Sequence, residues 1–355
     1  MIDRKKTKVI SLGDIKIGGN EPIRVQSMTK TDTKNVRATL SQIRELVDAG
    51  CEIVRVAVKD HDSLDSLKQI VRKAESPIVA DIHFNYRLAL GAISAGVKGL
   101  RINPGNIGSE EKIKEVVACA KDNCVPIRVG VNAGSLEKHL ETKYGGPTPQ
   151  ALVESALHHV GLIEKYGYDQ IKISIKASDV STVVKGYRLL SHRLDYPLHL
   201  GVTEAGTMQA GSVKSSVALG ILLSQGIGDT IRVSLTESPL EEVKVAYMIL
   251  NSLKLREPMD IEIISCPTCG RCEWNLTEMV NEVEAKLVGI NLPLKIAIMG
   301  CGVNGPGEAK QADIGIAGGK NKALIFKKGK IIAKVPSEQV VDILVDEVYK
   351  LKREQ

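Results

Sequence analysis

Aromatic residues are scarce. Phe, Trp and Tyr together make up 3% of 355 residues, too few for the stacking platforms on which single-stranded nucleic acids are held. A basic arm is missing too: the densest cationic run, Arg4-Lys5-Lys6 with Lys8, is short. Nucleic acid is therefore not the expected partner, although the net charge is +6. An anionic small substrate accounts for the same excess. Apolar stretches such as Val217-Ala218-Leu219 and Ile221-Leu222-Leu223 fall far below a membrane-spanning length. Met1–Lys6 contains no apolar h-region, so no secretory signal is expected. The seven cysteines do not make an even set, and four of them cluster between Cys266 and Cys301. That pattern suits metal ligation in a reducing cytoplasm better than a disulfide framework.

A content of 43% hydrophobic and 25% charged residues is that of a globular chain, and the length calls for two domains. The chain opens on a hairpin pattern, Val9–Leu12, Gly13-Asp14 and Ile15–Ile17, suited to plugging one end of the first domain. Eight short apolar strands then alternate with eight helix-period stretches. The strands begin near Ile23, Ile53, Ile78, Gly99, Ile127, Ile171, Leu198 and Thr230. The helices cover about 36–49, 62–74, 86–95, 109–122, 149–166, 179–194, 210–225 and 239–254. Ser109, Thr148, Asp179 and Ser238 are helix entry signals, and Gly50, Gly96, Gly167 and Gly226 exit signals. The expected fold is α/β: a (β/α)8 TIM-type barrel over 1–254, a linker over 255–260, and a small α/β domain over 261–355. An open doubly wound sheet is the alternative. It would place a glycine-rich turn after the first strand, where this chain has Gln26-Ser27-Met28-Thr29.

Charges stand where a barrel should be apolar. Arg55, Arg101, Arg128 and Arg232 lie in or at strands, and Lys176 just beyond the sixth. Asp81 and His83, Asn103, Asn132, Glu204 and Ser234 end strands three, four, five, seven and eight. Side chains at the C-terminal mouth of a barrel build its active site. A ring of cations there calls for a substrate with phosphate groups, because unpaired buried charge is costly. Otherwise the arginines face outward and pair with helix carboxylates. Glu204 is either an ion-pair partner for one of these cations or an acid/base group facing the substrate. The loop from Asn132 to Pro147 has the length of a lid or of a passive excursion.

The cysteines come after two strand-like runs: Cys266-Pro-Thr-Cys269-Gly-Arg-Cys272 after Ile261–Ile264, and Gly300-Cys301-Gly302-Val303-Asn304-Gly305 after Lys295–Ile298. Structural zinc on Cys266, Cys269, Cys272 and Cys301 is one reading. The glycines around Cys301 favour a second, an iron–sulfur cluster, since they let backbone N–H groups approach sulfide. The second segment also matches G-x-G-x-x-G, but Pro306-Gly307 extends the loop where a dinucleotide site needs a helix. Cys51, Cys119 and Cys124 read as packing residues.

The segments Ser265–Arg271 and Met299-Gly-Cys-Gly-Val-Asn-Gly-Pro-Gly-Glu308 resemble the iron–sulfur motifs of the bacterial 4-hydroxy-3-methylbut-2-enyl diphosphate synthase family of isoprenoid biosynthesis. Val25–Thr29, Val79–Phe84, Leu100–Asn106 and Arg128–Asn132 resemble the same family, so the similarity runs along nearly the whole chain. The resemblance implies reductive opening and dehydration of 2-C-methyl-D-erythritol 2,4-cyclodiphosphate with two electrons from ferredoxin or flavodoxin. It implies a [4Fe–4S] cluster held by Cys266, Cys269, Cys301 and Glu308, and a diphosphate held by Arg55, Arg101, Arg128, Asn132, Lys176, Arg232 and Ser234. Glu204 and Glu308 are then the catalytic carboxylates, and the enzyme is a cytoplasmic head-to-tail homodimer. Cys272 departs from the family pattern. It is either a spectator, which the presence of Glu308 favours, or a competitor for the fourth iron.

Overall fold

The computed structural model describes residues 3–258, 260–272, 274–290, 292–301, 312–319 and 322–354. The chain divides into two compact units, Met1–Arg256 and Glu257–Gln355. Arg256 belongs to the first: its guanidinium donates to Ile23 O (2.9 Å) and Glu52 Oε2 (3.0 Å). The structural division therefore falls inside the expected linker.

In the first unit, β1 (Ile10–Leu12) and β2 (Ile15–Ile17) form the antiparallel hairpin. Among the described residues the barrel has eight parallel strands: β3 (Arg24–Met28), β4 (Ile53–Ala57), β5 (Ile78–Asp81), β6 (Gly99–Ile102), β7 (Ile127–Asn132), β8 (Ile171–Lys176), β9 (His199–Leu200) and β10 (Thr230–Ile231). Each of β3 to β7 pairs with the next strand in sequence up to β8, and β10 pairs with both β9 and β3. A single parallel bridge, Ile173 to Leu198, joins β8 to the segment entering β9 and brings the barrel round on itself. The open-sheet alternative is excluded by that pairing. The hairpin packs Ile10, Leu12 and Ile17 against Ile53 and Val79. Leu12 also occupies the space beside Gly99, the first residue of β6. The plug therefore sits at the N-terminal end of the barrel, opposite the mouth.

The helices start where short polar side chains cap them. Asp179 accepts from Thr182 N (2.7 Å) and Thr148 from Ala151 N (3.2 Å). Ser109 occupies the cap position without a side-chain bond to the helix backbone. The loop after β7 carries a 3-10 turn (Ala133–Ser135) and a helix (Lys138–Tyr144). Of the three barrel cysteines expected to pack, Cys51 is buried and Cys119 half-buried, but Cys124 is exposed. Cys124 lies past the end of its helix in a left-handed conformation (φ 54°), which turns it to solvent. No described helix is long and apolar enough to cross a membrane.

The second unit has, among its described residues, a five-stranded sheet in the order β11 (Glu262–Ser265), β12 (Lys295–Met299), β13 (Ile314–Gly319), β14 (Lys322–Lys327) and β15 (Lys330–Pro336). The first three strands run parallel, and β14 and β15 close the sheet as antiparallel neighbours. β14 and β15 form a hairpin, turned at Lys328-Gly329 with positive φ at both (49° and 76°). Helices Leu276–Leu287 and Val340–Glu354 cover one face through Leu276, Val283, Ile296, Ile298, Leu344 and Val348.

Candidate active site

Pleating sorts the barrel side chains into two sets. Val54, Val56, Leu100, Ile127, Val129 and Ile173 join the core shared with the helices. Their alternates in β4 to β8 are Arg55, Asp81, Arg101, Arg128, Lys172 and Lys176, each at most 9% exposed. They lie side by side: Asp81 pairs in register with Arg101, Arg101 with Arg128, Arg128 with Lys172, and Asn132 with Lys176. Barrel lumens are ordinarily filled by Val, Ile and Leu. This one is filled by cations, and the outward reading of Arg55, Arg101 and Arg128 is overturned by the register.

Asp81 is the hub. Arg101 Nη1 donates to its Oδ1 (3.1 Å), and Arg55 Nε lies 3.7 Å from Oδ2. His83, half-exposed beyond the strand, reaches Asp81 at 3.5 Å and Arg101 at 2.9 Å. Burial pushes the Asp81 carboxyl up, but Arg55, His83, Arg101 and Arg128 overcome it and hold it well below the usual carboxylate range. Arg55 rests Nε and Nη2 on Met28 Sδ (3.1 and 3.0 Å). Arg232, one residue past β10, pairs with Glu242 (Nε to Oε2, 3.1 Å), a buried carboxylate on helix Pro239–Ser252. For this arginine the helix-carboxylate pairing holds. Glu242 also accepts from Ser27 Oγ (2.9 Å) and Leu235 N (3.2 Å).

Compensation stops there. Arg128 Nε and Nη1 have no partner among the described residues, nor have Lys172 Nζ, His199 Nε2 or the Gln26 amide. Burial and the neighbouring Arg55 and Arg101 bear on Arg128. A guanidinium stays charged, so this marks an unfavourable buried cation rather than a proton lost. Lys176 is pushed well below its ordinary value by burial and by Arg128, Arg232, Arg55 and Arg101. Lys172 falls to about 7, chiefly through burial and then Arg128.

At the mouth, the Asn132 amide, oriented with its oxygen toward Arg101, accepts from Nη2 at 3.1 Å. Ser234 is half-buried two residues beyond Arg232. Glu204 is exposed and sits at φ 51°, a left-handed conformation that costs an L-residue about 1–2 kcal/mol. Such strain persists where the surroundings impose it, often at functional sites. Asn103 caps the short helix Pro104–Ile107, accepting from Gly105 N at 3.2 Å.

Five contributors escape a reading of the sequence. Met28, Glu242 and His199 give no signal there, because their spacing is that of ordinary strand or helix residues, whereas Lys172 gives the same signal as the arginines, a charge between Ile171 and Ile173. Gly130 does give one, since a glycine inside a strand marks a close approach. A Cβ there would stand 2.6 Å from Arg101 Nε, so the guanidinium lies across β7 in the space the glycine leaves.

In the second unit, β11 and β12 run parallel with Ser265 opposite Ile298, so Cys266 and the Gly300-Cys301 turn leave the same end of the sheet side by side. The carboxyl ends of parallel strands are the usual place for a site in such a sheet. Gly300 N donates to Cys266 Sγ (3.2 Å), and the sulfurs of Cys266 and Cys272 take up the space a residue-300 Cβ would need. Cys269 is exposed, its thiol pulled down by the Arg271 backbone N–H. As they stand, no three described His, Cys, Asp or Glu side chains are gathered closely enough to hold a metal ion. The chemistry of the set nevertheless fits a thiophilic group: free thiols, a glycine turn, and an N–H on sulfur. Glu308 lies outside the described residues.

A barrel whose mouth and lumen carry buried cations in excess of carboxylates, joined to an α/β unit presenting thiols at its strand ends, defines an enzyme of the TIM-barrel class built for an anionic substrate. The chain belongs to the GcpE family: residues 7–247 match its TIM-barrel domain and residues 262–350 its C-terminal domain. It is 55% identical to a Geobacter sulfurreducens protein over 352 residues, 99% of each chain. Identity to a Thermodesulfovibrio yellowstonii protein is also 55%, over 350 residues, 99% of this chain and all of the other. Both are named 4-hydroxy-3-methylbut-2-en-1-yl diphosphate synthase (flavodoxin). Among solved structures, 3-dehydroquinate dehydratase from Geobacillus kaustophilus is 15% identical with a TM-score of 0.51, covering 70% of this chain and 99% of that one; the likeness is one of fold.

Proposed function

We propose that this chain is a 4-hydroxy-3-methylbut-2-enyl diphosphate synthase. It opens and dehydrates 2-C-methyl-D-erythritol 2,4-cyclodiphosphate, taking up two electrons and a proton and releasing water. The observation that carries the reading is the cation excess: Arg55, Arg101, Arg128, Lys172 and Lys176, all buried, and the half-buried Arg232 share the lumen and mouth with, among the described residues, only Asp81 and Glu242 paired to them. A cyclic diphosphate dianion supplies negative charge where this excess lies, and the two lysines, whose pKa values burial lowers, reduce what is left to offset.

In this reading Arg55, Arg101, Arg128, Lys176 and Arg232 bind the diphosphate oxygens, with Asn132 and Ser234 completing the grip at the mouth. Their charge stabilises the diphosphate as it leaves carbon. Asp81 and Glu242 hold Arg101 and Arg232 in place, so the donors need little reordering when substrate arrives. Glu204, exposed at the mouth, holds or moves the proton. A [4Fe–4S] cluster on Cys266, Cys269, Cys301 and Glu308 supplies single electrons and a Lewis-acidic iron when bound. Flavodoxin is the favoured donor, following the names of the relatives. A cytoplasmic homodimer belongs to the same proposal.

The test is iron, acid-labile sulfide and zinc content of protein purified without oxygen, followed by turnover of the cyclic diphosphate with reduced flavodoxin. Iron and sulfide in equal amounts, with product formed, are expected. Zinc without sulfide after anaerobic reconstitution would leave a zinc-stabilised module and sink the reading. Gly130→Ala gives a finer check. The added Cβ displaces the Arg101 guanidinium rather than backbone, and because that group is buried and paired with Asp81, the protein should lose about 1–3 kcal/mol of stability and remain folded. Affinity for the cyclic diphosphate, measured by calorimetry, should fall about tenfold for the loss of one well-placed charge-assisted bond. Unchanged affinity would mean that Arg101 does not touch the ligand.

A further inference from the structure

Cys272 is the cysteine that the proposed cluster ligation leaves unused, and the structure does not leave it idle. Its loop is short and pinned. Cys272 N donates to Cys269 O (2.8 Å), closing a tight turn, and Cys272 Sγ donates to Trp274 O (3.3 Å). The Trp274 indole in turn lies against Gly318 of β13, filling the space a side chain there would need. The thiol of residue 272 is thereby turned inward, where it packs with Cys266 against the core of the second unit.

The two sulfurs meet at one glycine. A Cβ at residue 300 would stand 3.3 Å from Cys266 Sγ and closer still to Cys272 Sγ. The sulfurs are therefore less than twice that distance apart, with no side chain between them. Cys269 is placed differently: it is exposed, and its thiol faces the Arg271 backbone N–H. The Cys269 sulfur is not among the atoms that meet at residue 300. The pair there is Cys266 with Cys272.

We propose that Cys266 and Cys272 form a reversible disulfide across Gly300 when no iron–sulfur group occupies the site, with a small-molecule disulfide such as oxidised glutathione as oxidant. One cysteine thiolate attacks the glutathione disulfide and releases one glutathione. The second attacks the protein sulfur of the mixed disulfide and releases another. Two protein thiols and one glutathione disulfide become one protein disulfide and two glutathione thiols, which carry away both protons. Closing this loop covers a thiol needed for metal and spares it from irreversible oxidation. Reduction restores both thiols.

The chain's own cleavage sites make the test sharp. Trypsin cuts after Arg256, Arg271 and Lys286, so Cys266 and Cys269 fall on one peptide, 257–271, and Cys272 on the next, 272–286. Full-length protein stripped of iron by a chelator and reduced is exposed to oxidised glutathione without oxygen, alkylated, digested and analysed by mass spectrometry. The expected product is peptide 257–271 bonded to 272–286, with fragmentation placing the bond on Cys266. Cys269→Ser should retain that product. Cys272→Ser should lose it while keeping the circular dichroism of the parent, and dithiothreitol should return both thiols. A bond internal to peptide 257–271, a bond to the Cys301 peptide, or glutathione adducts alone would overturn the proposal. The assay uses iron-free protein and no substrate, so its outcome is independent of the proposed reaction.

Discussion

Arg128→Met is expected to lower kcat/KM for the cyclic diphosphate by about 100- to 1,000-fold while raising the melting temperature of the free protein. The two effects share one cause. Arg128 is 3% exposed, and its Nε and Nη1 have no partner among the described residues. Its neighbours in the lumen are mostly cations: Arg101 and Lys172 in register on either side, with Arg55 acting on it as well. In the free enzyme the guanidinium is an uncompensated buried charge. Replacing such a group with an apolar side chain of similar length is often stabilising by about 1–4 kcal/mol. In a unit of this size each kcal/mol is worth roughly 2–4 °C. With substrate bound the same N–H groups face phosphate oxygens, where each charge-assisted bond contributes about 1.5–3 kcal/mol. Arg101→Met makes the control. Arg101 has Asp81 at 3.1 Å, so its removal weakens an ion pair that the free protein already has, and its melting temperature should fall. The measurements are thermal unfolding and steady-state kinetics on both variants. A melting temperature for Arg128→Met below that of the parent would mean that Arg128 is compensated before substrate arrives, and the anion site would lose its main support.

The barrel is legible in the sequence because its determinants are local. Alternation of apolar strands and amphipathic helices is written in successive residues, and caps such as Thr148 and Asp179 sit where their bonds are made. Two strands are shorter than their apolar runs suggest. The runs beginning at Leu198 and Thr230 pair over two residues each, β9 and β10, because their neighbours Gly201 and Arg232 belong to the mouth. Arg55, Arg101, Arg128 and Lys176 stand out because a charge inside an apolar run is conspicuous. Their counterparts do not. Glu242 reads as one of two acids in a helix's first turn, and only the packing of that helix on β3 turns it toward Arg232. His199 belongs to the lumen by register, a property of paired strands that no single strand carries. The cysteines are legible as a set but not as an arrangement. That Cys272 rather than Cys269 lies beside Cys266 depends on Trp274 and Gly318, which are far apart in the chain.

Lys172 gives the second large expected effect, a stability that rises with pH where most proteins are flat. Its Nζ is buried without a partner among the described residues, deep in the lumen below Lys176. The groups that bear on it are Arg128 from β7, Asp229 just before β10, and Arg55 from β4; His199 of β9 lies close by. The cavity beside it is lined by Ile10 and Leu12 of the plug, with Val79, Gly99, Leu100, Pro126 and Ile127. Burial and Arg128 hold its pKa at about 7 in the folded chain, against 10.5 for an ordinary lysine. Between these values the unfolded chain binds the proton and the folded chain does not. Stability contributed through this group therefore rises as pH goes from 7 toward 10.5, and the penalty is complete below 7. The span corresponds to an effect on the order of 5 kcal/mol. Urea unfolding of the parent and of Lys172→Met between pH 6 and 10 checks it. The Lys172→Met variant should be the more stable of the two by the widest margin at pH 6, and the margin should close by pH 10. Parallel curves would mean that Lys172 titrates as it does in the unfolded chain. A diphosphate ligand reverses the balance, because an anion above Lys172 favours the ammonium form. Saturating inorganic diphosphate should therefore stabilise the parent more at pH 6 than at pH 9, and Lys172→Met should lose most of that pH dependence.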